Sequence, residues 1–218
     1  MNVIQTNDAK IKYFEWERPE ILPYLPFKMQ TMLDVGCGAG NFGRLIKSRN
    51  KDTTVWGIEI DKAASIKAAE VFDKVIYGDA LENIESLPDN FFDCIVFNDS
   101  LEHMVDPYSC LEKIKAKLTQ GGVIVASIPN VRYYTNLYEL LFKKDWRYED
   151  SGILDRTHLR FFTKKSMKNM FRQAGYKVDK IEGINSCHKL GISFLGYITL
   201  GALSDIKFLQ FVVVTKKT

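Results

Sequence analysis

The chain has 218 residues, of which 46% are hydrophobic, and its 30 basic and 27 acidic side chains leave a net charge of +3. That length suffices to bury an ample core in one unit, and so small a net charge predicts no nucleic-acid partner held by general attraction. The four cysteines, Cys37, Cys94, Cys110 and Cys187, share no metal-like spacing, and Met1 to Lys12 is polar with no secretory pattern, so a reduced cytoplasmic protein is expected.

The first expected strand, Thr31-Met32-Leu33-Asp34-Val35, runs into Gly36-Cys37-Gly38-Ala39-Gly40. An apolar run leading into glycines suits a buried parallel strand whose carboxyl end turns sharply, letting bare backbone approach a ligand. Phe42, Leu45 and Ile46 then stand at i, i+3 and i+4, the spacing of a helix packed on a sheet. Thr54 to Ile58 reads as a second strand ending at Glu59, with Asp61 as the N-cap of a helix over Lys62 to Ala69. A third strand, Lys74 to Tyr77, leads into Gly78-Asp79-Ala80. The fourth is Phe92 to Phe97, and the fifth is Val123 to Ser127 after the turn Gly121-Gly122.

Between the fourth and fifth strands, Asp106-Pro107 starts a helix whose Leu111, Ile114 and Leu118 make an apolar stripe up to Gly121. Thr163 caps a further helix in which Met167, Met170, Phe171 and Ala174 repeat at helical spacing before Gly175 closes it. Tyr176 to Gly183 is a weak sixth strand and Phe208 to Thr215 a strong last one. The uncharged stretch 190–203 is 14 residues long, too short for a bilayer span of about 20 residues, so no transmembrane segment is expected. Its apolar residues fall all round a helical wheel, which predicts burial against the sheet ahead of a subunit contact or a membrane surface.

Asp34 two residues before a Gly-x-Gly-x-Gly turn, Glu59 23 residues beyond Gly36, and Gly78-Asp79-Ala80 after the third strand together resemble class I S-adenosylmethionine (SAM) methyltransferases. A dinucleotide fingerprint needs its third glycine where Asn41 stands, which weighs against the alternative of an NAD-dependent oxidoreductase. The resemblance covers nearly the whole chain and implies one α/β domain, 1–218. Its seven-stranded Rossmann-like sheet would run 3-2-1-4-5-7-6, last strand antiparallel, with helices on both faces. It further implies SAM as cofactor, S-adenosylhomocysteine as product, and cofactor contacts from Asp34, Gly36, Cys37, Gly38, Glu59, Ile60, Asp79, Ala80 and Asn98. Glu59 would accept from the ribose hydroxyls and Asp79 from the adenine amine. Read singly, an acid at a strand end is as often the N-cap of the next helix.

Methyl transfer is an in-line displacement that depends on positioning, with a base added when the acceptor is a hydroxyl. Candidates lie in Asn98-Asp99-Ser100-Leu101-Glu102-His103 after the fourth strand and Ile128-Pro129-Asn130 after the fifth. His103 is the expected base, since an imidazole pKa near 6.5 leaves it largely neutral at pH 7, with Glu102 to orient it. The segment 152–163, holding Asp155-Arg156-Thr157-His158-Leu159-Arg160, resembles a signature of methyltransferases in surface-polysaccharide and other glycan pathways. It adds His158 to the catalytic candidates, and Arg156 and Arg160 could grip the phosphate or carboxylate of a nucleotide sugar. An ion-paired hairpin, Asp155 with Arg156 or Arg160, is the equally weighted alternative.

Asn130 and Tyr133 complete the substrate candidates. Tyr133 opens an aromatic-rich insertion around 131–162 that also carries Tyr134, Tyr138, Trp146 and Tyr148. Asp99, Glu102 and His103 with His158 also resemble the metal-binding constellation of small-RNA 2′-O-methyltransferases, although a metal-free His103 is preferred to a divalent cation. The expected activity is O-methylation of a sugar or other small polar acceptor, such as a nucleotide sugar or glycan, in a glycan or cell-envelope pathway. A catalytically silent SAM-binding scaffold is the non-enzymatic alternative.

Overall fold

The computed structural model describes residues 17–187 and 190–217, so the polar opening segment lies outside the described residues. Its strands are β1 (Thr31–Val35), β2 (Thr54–Glu59), β3 (Lys74–Tyr77), β4 (Phe92–Asn98), β5 (Leu118–Pro129), β6 (Tyr176–Ser186) and β7 (Phe208–Lys217). They form one seven-stranded sheet of order β3-β2-β1-β4-β5-β7-β6. All neighbours from β3 to β5 run parallel, and β7 lies antiparallel to both β5 and β6. The expected topology is therefore the observed one.

Successive strand residues point to opposite faces, and both faces are apolar. Leu33, Val35, Ile95 and Phe97 join a core with Leu111, Met167 and Phe171, from α4 (Pro107–Ile114) and α6 (Lys164–Gln173). Met32, Val55, Cys94 and Val96 join a second core with Phe42, Ile46, Ala68 and Phe72 on the side of α1 (Asn41–Arg49) and α2 (Lys62–Ala68). Helices thus cover both faces because neither face of the sheet can be left in water. The helix starts follow their sequence signals. Asp61 accepts from the N–H groups of Ala63 and Ala64, Asp106 from Tyr108 and Ser109, and Thr163 forms a capping box with Ser166.

Three boundaries differ from expectation. α4 stops at Ile114, a 3₁₀ turn spans Lys115–Lys117, and Leu118 opens β5 rather than extending the helical stripe. Lys117 stops the helix by turning inward, where Nζ donates to Leu87 O at 2.8 Å and pairs with Asp89 at 2.7 Å. Gly121 and Gly122 lie inside β5 as an irregularity, its pairing with β4 shifting register between Phe92 and Cys94. β6 continues to Ser186 because β7 pairs with it along that length.

The uncharged stretch 190–203 also departs from expectation. It forms a short helix, Leu190–Ile198, followed by turns. Ile192 is buried, but Tyr197 is 82% and Leu200 97% exposed, so its far end is not covered by the sheet. Among the described residues no helix is long and apolar enough to cross a membrane.

Candidate functional site

Three strands end together at one edge of the sheet, and their exits build a cradle. At the end of β1 the N–H groups of Gly36 and Cys37 both donate to Ile58 O, at 2.8 and 3.2 Å, which folds the turn back over β2. Gly36 has φ +79°, and a Cβ there would lie 2.7 Å from Ser100 Cβ, so both backbone conformation and space require glycine. Cys37 contributes only backbone to the turn. Its thiol is buried toward Gly57, and burial pushes its pKa well up.

Glu59 ends β2 with its carboxylate braced from two sides, accepting from Gly38 N at 2.7 Å and Asp61 N at 2.8 Å. Burial holds its pKa above the usual value, against the pull of those N–H groups. Ile60, exposed beside it, offers an apolar surface at the same strand end. Asp79 caps the short helix α3 (Ala80–Asn83), its Oδ1 accepting from Leu81 N and Glu82 N, so the capping role is the one occupied here. Ala80 is the first residue of that helix.

Several buried polar atoms around this cradle have no hydrogen-bond partner among the described residues: Asp34 Oδ1, both amide atoms of Asn98, Ser100 Oγ and both carboxylate oxygens of Glu102. Such groups cost free energy unless something pairs with them, and their clustering where β1 and β4 end fits a polar ligand. Asp34 is 1% exposed. Burial, then the like charge of Glu59, pushes its pKa up to about 7, with Arg18 opposing.

Arg18 is the functional candidate that sequence reasoning missed. It is buried just before a 3₁₀ turn, Pro19–Tyr24, and its guanidinium is ion-paired with the Asp99 carboxylate. It also pairs with Glu20 at 2.7 Å and donates to Ser127 Oγ and Gln210 Oε1. Gln210 Nε2 donates to the same Asp99 at 2.7 Å. Asp99 is thereby committed elsewhere, and it does not join Glu102, His103 and His158 in the four-residue set weighed as the alternative to a metal-free His103. Apart from Glu20, its partners Asp99, Ser127 and Gln210 are 81 or more residues away in sequence, so no local pattern signals Arg18.

A second polar cluster is assembled on a 3₁₀ turn, Leu101–His103, directly beyond β4. Glu102 is 1% exposed, and its backbone oxygen accepts from Leu159 N and Arg160 N, which ties segment 152–163 to this strand end. Asp155 accepts from both the N–H and the hydroxyl of Thr157, at 2.7 and 2.6 Å. With its hydroxyl proton so committed, Thr157 faces His103 Nδ1 with two oxygens, its carbonyl at 3.2 Å and its Oγ1 at 3.1 Å, and Nδ1–H is the donor. His158 Nδ1 lies 2.9 Å from Ile153 O and donates to it. The two imidazoles meet edge to face at 4.6 Å, and His158 Nε2 lies 3.9 Å from Glu102 Oε1. Burial pushes the Glu102 pKa up to about 8, while burial and then His158 hold His103 below its usual value.

The remaining substrate candidates do not converge. Arg156 pairs with Asp150 at 2.9 Å on the surface, Arg160 donates to Val105 O at 2.6 Å, and Asp155 pairs with neither, so the alternative of an ion-paired hairpin is not formed. Asn130 is fully buried and fully engaged, donating to Asp205 O and Phe208 O and accepting from Arg132 N, which makes it a brace. Trp146 and Tyr148 pack on Phe161 at 5.3 and 6.3 Å and hold the insertion together. Tyr133 lines a cleft of about 330 Å³ with Asn136, Arg147, Glu149 and Ile153, the residue whose carbonyl holds His158. A larger cleft of about 390 Å³ borders Asp93, Gly121 and Gly122, at the ends of β4 and β5 remote from this chemistry.

The order of the sheet and the glycine turn facing an acid on the neighbouring strand define a class I, SAM-dependent methyltransferase architecture. The family described as "Methyltransferase domain" matches residues 11–181, and the chain belongs to it. Curated relatives include the tRNA U34 carboxymethyltransferase of Actinobacillus pleuropneumoniae, 33% identical over 120 residues, covering 51% of this chain and 36% of that protein. The ubiquinone biosynthesis O-methyltransferase of Psychrobacter arcticus is 28% identical over 164 residues, covering 72% and 62%. The chain thus spans less than two thirds of the length of these relatives. A SAM-dependent methyltransferase from Archaeoglobus fulgidus shares the fold, with a TM-score of 0.68 at 21% identity over 97% of this chain and 94% of that one.

Proposed function

We propose that the chain is a SAM-dependent O-methyltransferase acting on a hydroxyl of a small polar acceptor, a sugar or nucleotide sugar of a glycan or cell-envelope pathway. It works as one domain, with residues 131–162 as its acceptor side. The observation that carries this reading is the Glu102–His103–His158 cluster, which stands directly beyond the strand that brings Asn98 to the cofactor cradle. SAM, when bound, supplies an activated methyl group on a sulfonium.

The chain's own residues bind and orient. Glu59 offers a charged acceptor for a ribose diol, the orphaned amide of Asn98 and the carboxylate of Asp34 border the amino-acid tail, and Ile60 offers an apolar wall. Arg18, paired with Asp99 and Glu20 and donating to Ser127 and Gln210, ties the exits of β4 and β5 to β7 beneath the same edge. At the acceptor, the hydroxyl proton leaves toward His103. Its Nδ1–H is committed to Thr157, so Nε2 receives the proton, and the lowered pKa keeps the ring neutral near pH 7. Tyr133, Asn136 and Glu149 give the neighbouring cleft the mixture of aromatic face and hydrogen-bonding groups that suits a sugar ring.

A phenolic acceptor is the second reading. It is favoured by the likeness to the ubiquinone O-methyltransferase and by exposed Leu140, Leu141 and Phe142 after the short helix α5 (Tyr134–Tyr138). Radiolabelled methyl transfer from SAM to a panel of nucleotide sugars, free sugars and catechols tests both. Label in the sugar fraction is expected. Label in catechols alone replaces the first reading with the second, and no label in any hydroxyl acceptor refutes both.

A further inference from the structure

Asn98, Asp99 and Ser100 stand in a row where β4 ends. The outer two present buried polar atoms that have no hydrogen-bond partner among the described residues, the whole Asn98 amide and Ser100 Oγ. Ser100 also packs against the glycine turn, since a Cβ on Gly36 would lie 2.7 Å from Ser100 Cβ. Asp99, between them, has φ +50°, a left-handed conformation that a residue other than glycine keeps only where its surroundings hold it. Those surroundings form a clamp. Arg18 is ion-paired with the Asp99 carboxylate, whose Oδ1 accepts from Gln210 Nε2 at 2.7 Å, and the Asp99 N–H donates to Ser127 O at 3.1 Å. Arg18 in turn donates to Ser127 Oγ at 3.0 Å, to Gln210 Oε1 at 3.2 Å and to Glu20 at 2.7 Å. With φ +54° it is itself left-handed, so each end of the ion pair holds the other in a conformation neither side chain favours. The guanidinium charge is felt on both sides of this exit, opposing the upward push of burial on the pKa of Asp34 and of Glu102.

From this geometry we infer that Arg18 is a positioning residue for the cofactor: through Asp99 it sets the exit of β4 so that the Asn98 amide and the Ser100 hydroxyl meet the amino-acid tail of SAM. The inference rests on the SAM reading given above for the identity of the ligand. Glu59 gives the ligand its direction, because a ribose held at the end of β2 puts the adenosyl group toward β3 and the tail toward β1 and β4. All three guanidinium nitrogens are engaged within the protein, so Arg18 acts through Asp99 and not by touching the ligand. Without Arg18 the Asp99 carboxylate would lose its cation, and the strained turn would be held by Gln210 and Ser127 alone. The two partners of the tail would then lose their fixed spacing, while Glu59 and the Gly38 N–H that braces it would keep theirs.

The test separates the two halves of the ligand. Direct or competitive calorimetric titration of the full chain compares S-adenosylhomocysteine with 5′-methylthioadenosine, which keeps the adenosyl group and lacks the amino-acid tail. Arg18→Met should raise the Kd of S-adenosylhomocysteine at least tenfold and change that of methylthioadenosine less than twofold. Arg18→Lys keeps the charge but not the fork; it should show the same selective loss at smaller size, and it replaces Arg18→Met should the latter fail to fold. Glycine adopts the left-handed turn without a clamp, so in an Asp99→Gly background the Arg18 substitution should cost no more than threefold. Equal losses for the two ligands would make Arg18 a general brace of the fold, and full additivity of the two substitutions would remove Asp99 as its route. Either result overturns the inference, as does an unchanged Kd for S-adenosylhomocysteine in the folded Arg18 variants. Failure of the parent chain to bind S-adenosylhomocysteine would instead strike the SAM reading.

Discussion

Glu59→Ala perturbs the cofactor cradle where the turn after β1 and the end of β2 are joined. The carboxylate is 5% exposed and accepts two backbone N–H bonds, from Gly38 at 2.7 Å and Asp61 at 2.8 Å. Hydrogen bonds to a charged partner contribute about 1.5–3 kcal/mol each. Truncation therefore leaves two donors on the cradle's rim without their acceptor. Burial raises the Glu59 pKa, so keeping the carboxylate charged offsets part of that gain, and the unliganded protein should lose only about 1–2 kcal/mol of stability. The loss in cofactor affinity should be larger, because the ribose loses a charged acceptor and the glycine turn loses its brace. One charge-assisted bond, about 1.5–3 kcal/mol, corresponds to a roughly 10- to 150-fold rise in Kd. Calorimetric titration with S-adenosylhomocysteine reads this directly, with circular dichroism as the fold control. An unchanged Kd in a folded Glu59→Ala protein would refute the ribose assignment, and a lowered Tm without loss of affinity would make Glu59 a brace alone.

Gly36→Ala should lower S-adenosylhomocysteine affinity at least tenfold, since its Cβ would meet Ser100 Cβ at 2.7 Å with φ at +79°; affinity equal to the parent chain would show that the turn does not shape the site. Asp34, raised to about 7 by burial and Glu59, binds its proton more tightly when folded. Its stabilising contribution is complete below the unfolded value near 4 and is lost as pH rises through about 7, by linkage on the order of 2–4 kcal/mol. Urea unfolding at pH 5 and pH 8 should therefore show a smaller drop for Asp34→Asn than for the parent chain, and parallel drops would contradict the assignment. Asn130→Ala removes a buried amide that holds Asp205 O, Phe208 O and Arg132 N, and should cost about 2–4 kcal/mol in denaturant unfolding. A cost near zero would show that the amide is not a brace.

The sheet and the cradle were legible because their determinants are local. Strands with two buried faces need continuous apolar runs, and a backbone that must bend at positive φ against Ser100 needs glycine at position 36. Leu118 was misread because its spacing fits the helical stripe as well as a strand, and the arbiter, Lys117 turning to Asp89, lies 28 residues away in sequence. The cluster beyond β4 was legible in residue type but not in arrangement. Glu102, His103 and His158 do come together, while Asp99 is diverted by Arg18 from 81 residues upstream and by Gln210 from 111 residues downstream. Asn130 looks like a site residue at a strand end until its partners beyond residue 200 are known. The apolar stretch 190–203 is uniform enough to predict a buried helix, yet Tyr197 and Leu200 at its far end stand exposed.

The placement of β7 bears on how the chain is born. β5 and β6 are synthesised first but do not touch as ladder neighbours, and the strand between them is the last of the described seven to leave the ribosome. Until residues 208–217 arrive, both strands carry an unsatisfied edge, the condition under which nascent chains stick to one another. Asn130 also waits for Asp205 and Phe208, so its side chain cannot be satisfied before the final strand slots in. A ribosome-stalled chain ending near residue 200 should engage holding chaperones and show no protease-resistant core beyond β5, whereas release of the remaining residues should lock the sheet and the Asn130 contacts in one step.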